Sequence, residues 1–487
     1  MTKERTATPW QFAKTIMLVA SIVVSSGILS ACGATPTPEP AATEVVAPTE
    51  AAEVEEVAEV EEEAEEVTEV EEEMEEGVLP VTILINDSPW FPGFETLVNL
   101  YQEETGNEVI LNVTPFNGML QKTRNAVQGA ESEFDVINLN EAWYSQFYAD
   151  GVMTPIKEID PDFELDPEII EYAWATRWDP EVNFSTENGE IYGLPINGNI
   201  QLFFYRKDLF AENDIAVPET WDDVEAAAQV FHDPDDMFGY AIRTEPPTWN
   251  IQAFINGYGG SIVELDEESG EWAVVLHEEP AVEALKTWLH LGRDYGPANY
   301  ASVGQAEMLA LMASGKLAQV TMVGAAAPNF DDPETSVVVG NVGATVVPGP
   351  APGQRATMSG IWVMGIPHNL PMERKEAALT FLKWALTEEA QLAYAKAGAI
   401  PVRQDVYEGL ADDPELGWWM GAMAESTPFI KPLPRLPEIQ QILEPLERWV
   451  GLAVIDEASP EDALWEAAQE IHQVLVDAGY QVKPLER

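Results

Sequence analysis

The stretch that indicates the fold runs Tyr192-Gly-Leu-Pro-Ile-Asn-Gly-Asn-Ile-Gln-Leu-Phe-Phe-Tyr-Arg-Lys-Asp-Leu-Phe210. A short extended run ends near Pro195, and a second apolar run covers residues 202–205. Between them lies Asn197-Gly198-Asn199, and because Asn and Gly tolerate unusual backbone angles, this tripeptide predicts a bend. An extended, aromatic and bent stretch is typical of a strand that leaves one globular unit and enters another. We therefore predict a hinge here, with the functional cleft beside it.

Strand and helix signals alternate along the chain on both sides of this hinge. Residues 81–85, 108–113 and 134–139 have the composition of short buried strands. Helices are predicted over 94–105, from the end of the 134–139 strand to Gly151, from Thr220 onward, and between the Pro and Gly residues that bound 280–296, 371–398 and 460–479. Such alternation predicts helices packed on mostly parallel sheets. Binding sites in these sheets lie at the carboxyl ends of strands, which here are residues 86–93, residues 140–143 and the hinge.

The N-terminus has the composition of an export signal. Basic residues precede an apolar stretch, Thr15 to Leu29, which is short for a membrane span and suits a secretory segment. The stretch closes on Leu29-Ser-Ala-Cys32, which resembles the bacterial lipobox. We predict a lipoprotein signal peptide over 1–31 and a diacylglycerol anchor on Cys32; an ordinary signal peptide is the alternative. Cys32 is the one cysteine of the chain, so an internal disulfide is excluded.

A strongly acidic segment follows, and we interpret residues 32–77 as a disordered tether. Residues 33–77 contain 18 Glu and no Lys, Arg or aromatic residue. A coiled coil is the alternative, since Val57, Val60, Ala64, Val67 and Met74 fall at heptad spacing. Self-repulsion among the Glu residues favours disorder. The formal net charge of −61 also argues against nucleic-acid binding, because such a surface repels phosphate backbones.

Tryptophan placement suggests the chemistry of the cleft. Of 15 Trp residues, four follow predicted strands or lie in turns: Trp90, Trp143, Trp249 and Trp362. Others begin helices or lie on apolar helix faces and are interpreted as structural, namely Trp221, Trp288, Trp384 and Trp465. An aromatic face suits the C–H face of a sugar ring, while Asn, Asp and Glu side chains reach its hydroxyl groups. The pattern therefore favours a sugar-binding cleft.

Six segments, in the same order, resemble the bacterial extracellular solute-binding proteins of the maltose-binding family, the capture components of ABC sugar importers. The resemblance extends over nearly all of residues 80–480. Its strongest parts are Tyr192-Gly-Leu-Pro195 with Phe204-Tyr205-Arg-Lys-Asp-Leu-Phe210, and the late motif Gly398-Ala-Ile-Pro401-Val-Arg403. The remaining segments are Phe134-Asp-Val-Ile-Asn-Leu139 with Trp143 and Gly151, Thr220-Trp221-Asp-Asp223, Gly315-Lys-Leu-Ala-Gln-Val-Thr-Met-Val-Gly324 and Ser359-Gly360-Ile-Trp362.

This resemblance implies a two-lobed α/β fold of the periplasmic-binding-protein type II class. The N-terminal lobe would comprise 78–198 plus 360–405, and the C-terminal lobe 199–359 plus 406–487. It also implies a monomeric, lipid-anchored carbohydrate-binding protein on the extracytoplasmic face of the cell membrane. Such a protein would capture a mono- or oligosaccharide or a polyol between its lobes and deliver it to ABC permease subunits. It would need no cofactor or metal and would have no enzymatic activity.

The resemblance also places ligand contacts on six residues of this chain: Trp90, Glu141, Trp143, Asn199, Trp249 and Trp362. One departure affects specificity, because Ala325-Ala-Ala327 stand where the family often has an aromatic residue after Val323-Gly324. The missing ring puts maltodextrin in doubt as the ligand. Trp178, or the pair Trp418-Trp419, could compensate for it.

Two other functions compete. A secreted glycoside hydrolase would also have an aromatic cleft, and it would need two carboxylates beside the scissile bond; no pair of acids in the sequence stands out for that role. The same fold could instead bind a peptide or a polyamine, which an acidic cleft would suit. The five histidines have no metal-ligand spacing, and the nucleophile-elbow and phosphate-loop motifs are absent from the sequence.

Overall fold

The computed structural model of the chain describes residues 79–266 and 268–487. The predicted signal peptide, Cys32 and the acidic tether lie outside these residues. Strands in the described part are short and carry the apolar runs seen in the sequence: β1 Val81–Asp87, β2 Val109–Pro115, β3 Val136–Asn140, β4 Arg177–Trp178, β5 Glu190–Ile191, β6 Gly193–Asn197, β7 Gln201–Arg206, β8 Val263–Asp266, β9 Glu271–Val274, β10 Gln319–Val323, β11 Val342–Thr345, β12 Thr357–Met358, β13 Trp362–Gly365 and β14 Ile430–Lys431.

Helices fill most of the segments between these strands. They are α1 Phe91–Thr105, α2 Phe116–Gln128, α3 Tyr144–Ala149, α4 Ile156–Ile159, α5 Ala173–Thr176, α6 Lys207–Glu212, α7 Trp221–Phe231, α8 Thr248–Gly257, α9 Glu279–Tyr295, α10 Gln305–Ala313, α11 Ala327–Asp331, α12 Met372–Ala385, α13 Glu388–Lys396, α14 Gln404–Leu410, α15 Gly417–Ser426, α16 Ile439–Val454 and α17 Pro460–Asp477. In the described part of the chain, no helix is both long enough and apolar enough to cross a bilayer.

The first sheet has five strands in the order β2-β1-β3-β13-β6. Strands β1, β2 and β3 are parallel, and β13 is antiparallel to both β3 and β6, so four of the five strands run in one direction. Helix α12 packs on the sheet at β1, and α1 packs on α12, so these helices cover apolar side chains of the sheet. This sheet has the predominantly parallel topology that the alternating pattern predicts.

The second sheet has three strands, in the order β10-β7-β11, and its topology differs from the prediction. Both neighbours of β7 are antiparallel to it, so the expectation of mostly parallel sheets is wrong for this sheet. The strands are antiparallel because the chain enters this sheet from the first sheet and then returns toward it. Strand β7 carries the chain away from the first sheet, and β10 runs back toward it, pairing its last residue, Val323, with Gln201 at the start of β7.

The segment predicted as a hinge passes between two sheets, because β6 and β7 belong to different sheets and only residues 198–200 separate them. A second crossing runs beside the first, between β12 and β13. Ile200 forms an isolated bridge with Ser359, and the Gly360 N–H donates to the Asn199 carbonyl at 2.9 Å. The two crossings therefore form a narrow connection between the sheets.

Steric contact, rather than an unusual backbone angle, requires glycine at the bend. Gly198 does not have a positive φ. A Cβ atom at this position would lie 2.7 Å from the Pro401 carbonyl oxygen and 2.7 Å from the Tyr172 hydroxyl. The Gly198 N–H also donates to the Ile400 carbonyl at 3.3 Å. The segment around Ile400 and Pro401 thus packs directly on the hinge.

Capping side chains set two of the helix boundaries. At the start of α7, the Thr220 hydroxyl accepts from the Asp223 N–H while the Asp223 carboxylate accepts from the Thr220 N–H, a complete capping box. The helix predicted over 371–398 is two helices, α12 and α13. The break occurs because Thr387 is extended and its hydroxyl accepts from the Ala390 N–H at 3.4 Å, which begins a new helix.

Candidate ligand-binding cavity

A cavity of about 510 Å³ lies at the carboxyl ends of the first sheet's strands and against the hinge. Asn86 and Asp87 end β1 and residues 88–90 follow it, Phe116 and Asn117 follow β2, and Asn140 ends β3. The opposite side is formed by α8 and the residues before it, and the two crossings contribute residues 199–201 and 358–360. The cavity therefore has walls from the elements of both sheets, as expected for a site in an open α/β sheet.

Aromatic rings form the wall on the side of the first sheet. Trp90 and Trp362 line the cavity with ring centroids 6.1 Å apart, and Phe116 lies 6.2 Å from Trp362 at 81°. Trp90 begins helix α1, and Trp362 is the first residue of β13. Phe116 remains 40% exposed, so its ring offers an apolar face to a ligand.

Trp143 belongs to the same aromatic group but does not line the cavity. Its ring lies 5.2 Å from Phe116 and contacts Trp362 edge-on, at 5.9 Å and 89°. It is 3% exposed and directly precedes helix α3. Trp143 therefore supports the two rings in front of it.

Trp249 forms the aromatic part of the opposite wall. It is the second residue of α8 and is half-buried. Two hydrogen-bonding groups hold this turn in place: the Gln201 amide donates to the Trp249 carbonyl, and the Asn250 side chain links α8 to β10 through the Thr321 carbonyl at 3.1 Å. The indole of Trp288 donates to Asn250 at 2.7 Å, which gives that buried tryptophan the structural role predicted for it.

Asn199 lies in the hinge and lines the cavity. Its side-chain Oδ1 accepts from the Ala325 N–H at 3.3 Å. Ala325 also lines the cavity, so the small side chain noted in the sequence leaves open space at this point. The Asn199 side chain therefore connects the backbone of the hinge to Ala325 in the wall of the cavity.

Glu141 is buried behind the cavity and does not line it. It follows β3, is 2% exposed, and its Oε1 accepts from the Leu433 N–H at 2.7 Å. The Ser359 side chain also donates a hydrogen bond to this carboxylate. Burial raises the pKa of this carboxyl to about 7, because its charged form is poorly solvated.

Charged groups occur on the side of α8. The Arg243 guanidinium donates to the Gln305 Oε1 at 3.1 Å and to the Glu245 carbonyl at 3.4 Å. Burial lowers the pKa of Arg243 to about 10, so the group stays protonated at neutral pH. Asp87 and Glu245 are the carboxylates that line the cavity. Within residues 79–266 and 268–487, no cluster of His, Cys, Asp and Glu could hold a metal ion.

The family of the chain follows from comparison with known proteins. Residues 88–392, more than half of the chain, match the profile of the bacterial extracellular solute-binding proteins. The chain belongs to this family.

Two relatives of this solute-binding protein have assigned ligands. The mannitol-binding protein of Pseudomonas aeruginosa is 25% identical over 396 residues, which cover 73% of this chain and 83% of the relative. The erythritol/L-threitol-binding protein of Mycolicibacterium smegmatis is 22% identical over 347 residues, covering 67% of this chain and 71% of the relative. Both similarities extend across most of the described solute-binding protein.

Solved structures confirm the two-lobed α/β fold of the solute-binding protein. An ABC transporter solute-binding protein from Agrobacterium radiobacter K84, in complex with ribitol, superposes with a TM-score of 0.69 at 22% identity. It covers 82% of this chain and 99% of its own. The maltose-bound MalE3 protein of T. maritima also gives a TM-score of 0.69, at 23% identity, covering 82% of this chain and all of its own.

The cavity of this solute-binding protein contains polar groups that the sequence analysis missed. Three lining residues each carry a buried oxygen atom without a hydrogen-bond partner in the described structure: Asn86 Oδ1, Ser88 Oγ and Gln201 Oε1. Asn86 and Ser88 lie in the segment 86–93 that the sequence predicted as a loop, and Gln201 lies at the first crossing. Their position next to strand ends was visible in the sequence; their lack of partners depends on the packing.

The tryptophans considered as replacements for the missing ring do not line the cavity. Trp178 is fully buried in β4, and Trp419 is buried in α15. Trp418 packs against Phe204 of the second sheet, with centroids 6.3 Å apart. Among the residues predicted to contact the ligand, Trp90, Asn199, Trp249 and Trp362 are brought together around the cavity, whereas Glu141 and Trp143 stand behind it.

Proposed function

We propose that this solute-binding protein captures a sugar or a polyol in the cavity between its lobes. The observation that carries the proposal is the combination of indole walls with the three unpartnered oxygens of Asn86, Ser88 and Gln201. Buried polar atoms without partners are costly, so a ligand that completes them gains binding energy. A molecule with several hydroxyl groups supplies the donors, and its C–H surface packs on the rings.

The ligands of the relatives support a small polyol or monosaccharide within this class. Mannitol and erythritol or L-threitol are named for the two relatives, and ribitol for the solved neighbour. Ala325 in place of a ring removes one stacking surface, which disfavours a long oligosaccharide. Arg243 and Asn199 supply further polar groups to a linear chain of hydroxyls.

The lobes that close on this ligand are proposed to comprise 78–198 plus 360–405 and 199–359 plus 406–487. A ligand that contacts both lobes binds the closed form more strongly and shifts the population toward it. The closed form of a monomer is then delivered to the permease subunits of an ABC transporter. Attachment through diacylglycerol on Cys32, with 32–77 as a tether, would keep the protein at the extracytoplasmic face of the membrane.

Isothermal titration calorimetry of the purified protein against D-mannitol, ribitol, erythritol and maltose tests the proposal. We expect saturable one-to-one binding of at least one polyol. The Tm should rise as well, because a ligand that binds only the native state stabilises that state. Binding of putrescine or a peptide, with none of the four carbohydrates bound, would contradict it and favour a non-sugar solute.

Hydrolysis is the second candidate, and Asp87 and Glu245 are the carboxylates of the cavity on which it would rest. We propose that they orient hydroxyl groups and do not catalyse a reaction, in keeping with the solute-binding family. An aryl glycoside assay decides between the two. Turnover that disappears in Asp87→Asn and Glu245→Gln would establish an enzyme.

A further inference from the structure

A second cavity, of about 520 Å³, lies beside the ligand cavity; helix α8 and the two-stranded sheet of β12 and β14 contribute to both. Helix α8 contributes Trp249 to the first cavity and Gln252 and Asn256 to the second. Strands β12 and β14 pair, and Met358 of β12 lines the first cavity while Lys431 of β14 lines the second. The two spaces are therefore adjacent but have different walls.

The walls of the second cavity present hydrogen-bond donors that lack acceptors. Gln252 is 2% exposed, and its Nε2 has no partner in the described part of the chain. Asn256 lies one helical turn further along α8, and its Nδ2 also has no hydrogen-bond partner among the described residues. A buried amide N–H that is left unpaired destabilises the protein, so two such groups in one cavity favour a ligand that offers acceptor oxygens.

Positive charge reinforces this preference for acceptors. Lys431 lines the cavity and forms no ion pair with any residue that the structure describes, although acidic residues outnumber basic ones by 85 to 24 in the chain. The Arg435 guanidinium lies 4.5 Å from the Phe184 ring and donates to the Ser185 carbonyl at 3.3 Å. Glu264 also lines the cavity. Glu264 and Lys431 are both exposed, so solvent screens both charges, and the amide groups of Gln252 and Asn256 carry most of the preference.

Apolar surface completes the cavity and indicates that its occupant is organic. Trp272 is 7% exposed and packs edge-on against Phe184, with ring centroids 5.7 Å apart. Phe184 belongs to the segment between β4 and β5, whereas Trp272 lies in β9. The rings offer contact area for a carbon skeleton, and the donors described above offer partners for its charged end.

We infer that the second cavity binds a small organic molecule carrying a carboxylate or phosphate group. The anionic oxygens accept from the Gln252 and Asn256 amides and from the Lys431 ammonium group, and the remainder of the molecule packs on Trp272 and Phe184. This inference does not depend on the proposed function, because different side chains are involved and the ligand of the first cavity is neutral.

Calorimetry and thermal unfolding of the purified chain test the inference. The probes are inorganic phosphate, citrate and D-gluconate, each measured against sodium chloride of equal ionic strength. We expect saturable binding of at least one probe together with a rise in Tm. Binding of phosphate alone would identify the phosphate group as the recognised one, and binding of citrate or D-gluconate the carboxylate.

Variants localise the binding. Lys431→Gln and Gln252→Leu are each expected to weaken it about tenfold, the effect of removing one hydrogen bond to a charged group. Lys396→Gln removes the same charge from α13, away from both cavities, and should bind the probe like the unaltered protein. Asn256→Leu replaces Gln252→Leu if the latter fails to fold. The inference would be overturned if no probe bound saturably. It would also be overturned if the Lys431→Gln and Gln252→Leu variants bound the probe as tightly as the unaltered protein.

Discussion

The Oε1 of Glu141 lies 2.7 Å from the backbone nitrogen of Leu433, although 292 residues separate them in the sequence. Glu141 follows the first sheet's β3, and Leu433 lies between β14 and α16. Nearby, the Gln440 amide donates to the Ala142 carbonyl at 2.8 Å, so the contact has a second hydrogen bond. The carboxylate that the sequence suggested as a ligand contact therefore joins two distant parts of the chain behind the cavity.

Glu141 is predicted to make stability depend on pH. Its pKa rises from 4.5 to about 7 on folding, so the native state holds a proton that the unfolded state releases between these values. The native state is consequently destabilised as pH rises from 4.5 to 7, by about 3 kcal/mol at full effect, and the penalty persists above pH 7. Glu141→Gln keeps an acceptor for Leu433 and removes the titration.

Urea unfolding of both proteins at pH 4.5, 6 and 7.5 measures this effect. The Glu141→Gln variant should gain free energy of unfolding relative to the unaltered protein as pH rises. Glu103→Gln, which replaces an exposed carboxylate of α1, serves as the control and should show no such trend. A constant difference between the Glu141 variant and the unaltered protein at the three pH values would mean that this carboxyl does not titrate as described.

Trp143 and Trp362 should respond differently to substitution, because one ring supports the other. Trp143→Phe retains an aromatic ring against Phe116 and Trp362, so D-mannitol or ribitol affinity should change by less than about threefold. Trp143→Ala leaves a cavity and should destabilise the protein by about 3–5 kcal/mol. Calorimetry and urea unfolding separate the two effects. A large loss of affinity in Trp143→Phe with unchanged stability would place Trp143 in direct contact with the ligand.

Trp249→Ala is predicted to weaken binding of the same polyols by about tenfold or more, because it removes the aromatic surface of the α8 wall. Its backbone carbonyl, which accepts from Gln201, remains in place, so the fold should be preserved. Trp465→Ala, a half-buried tryptophan of α17 outside both cavities, is the matched control. Equal affinities of the Trp249 variant and the unaltered protein would exclude this residue from the site.

Short-range patterns explain how much of the fold could be predicted. The strands on either side of Asn197-Gly198-Asn199, the capping box at Thr220 and the position of the cavity at strand ends all follow from local composition and spacing. The antiparallel second sheet could not be predicted, because the pairing of Gln201 with Val323 joins segments that are remote in sequence. The break at Thr387 was missed because a single capping hydroxyl interrupts an otherwise helical pattern.

Site residues divide in the same way. Trp90, Trp249 and Trp362 reach the cavity because each stands at the end of a strand or the start of a helix, where side chains face the interlobe space. Glu141 occupies a similar position in the sequence, yet Leu433 provides it with a buried donor and holds it behind the cavity. Whether a polar side chain faces a ligand or another segment depends on the remote residues that pack against it.

Gly198→Ala is predicted to destabilise the hinge through steric overlap. The added methyl group would lie 2.7 Å from both the Pro401 carbonyl oxygen and the Tyr172 hydroxyl, closer than real Cβ atoms approach. Because the Pro401 contact is to backbone, the hinge segments must shift, and we expect a loss of about 1–3 kcal/mol in the free energy of unfolding. Polyol affinity should fall as well, since Asn199 moves with the backbone of the hinge.

Gly409→Ala provides the matched control for this substitution. Gly409 lies inside α14, and a Cβ atom there would meet nothing within 4 Å. Alanine should stabilise this helix by about 0.5–1 kcal/mol, because glycine loses more backbone entropy on folding. In thermal unfolding, Gly198→Ala should therefore have a lower Tm than the unaltered protein. Gly409→Ala should have a Tm equal to or higher than that of the unaltered protein. If both variants unfold at the same temperature, close packing at Gly198 does not constrain the hinge.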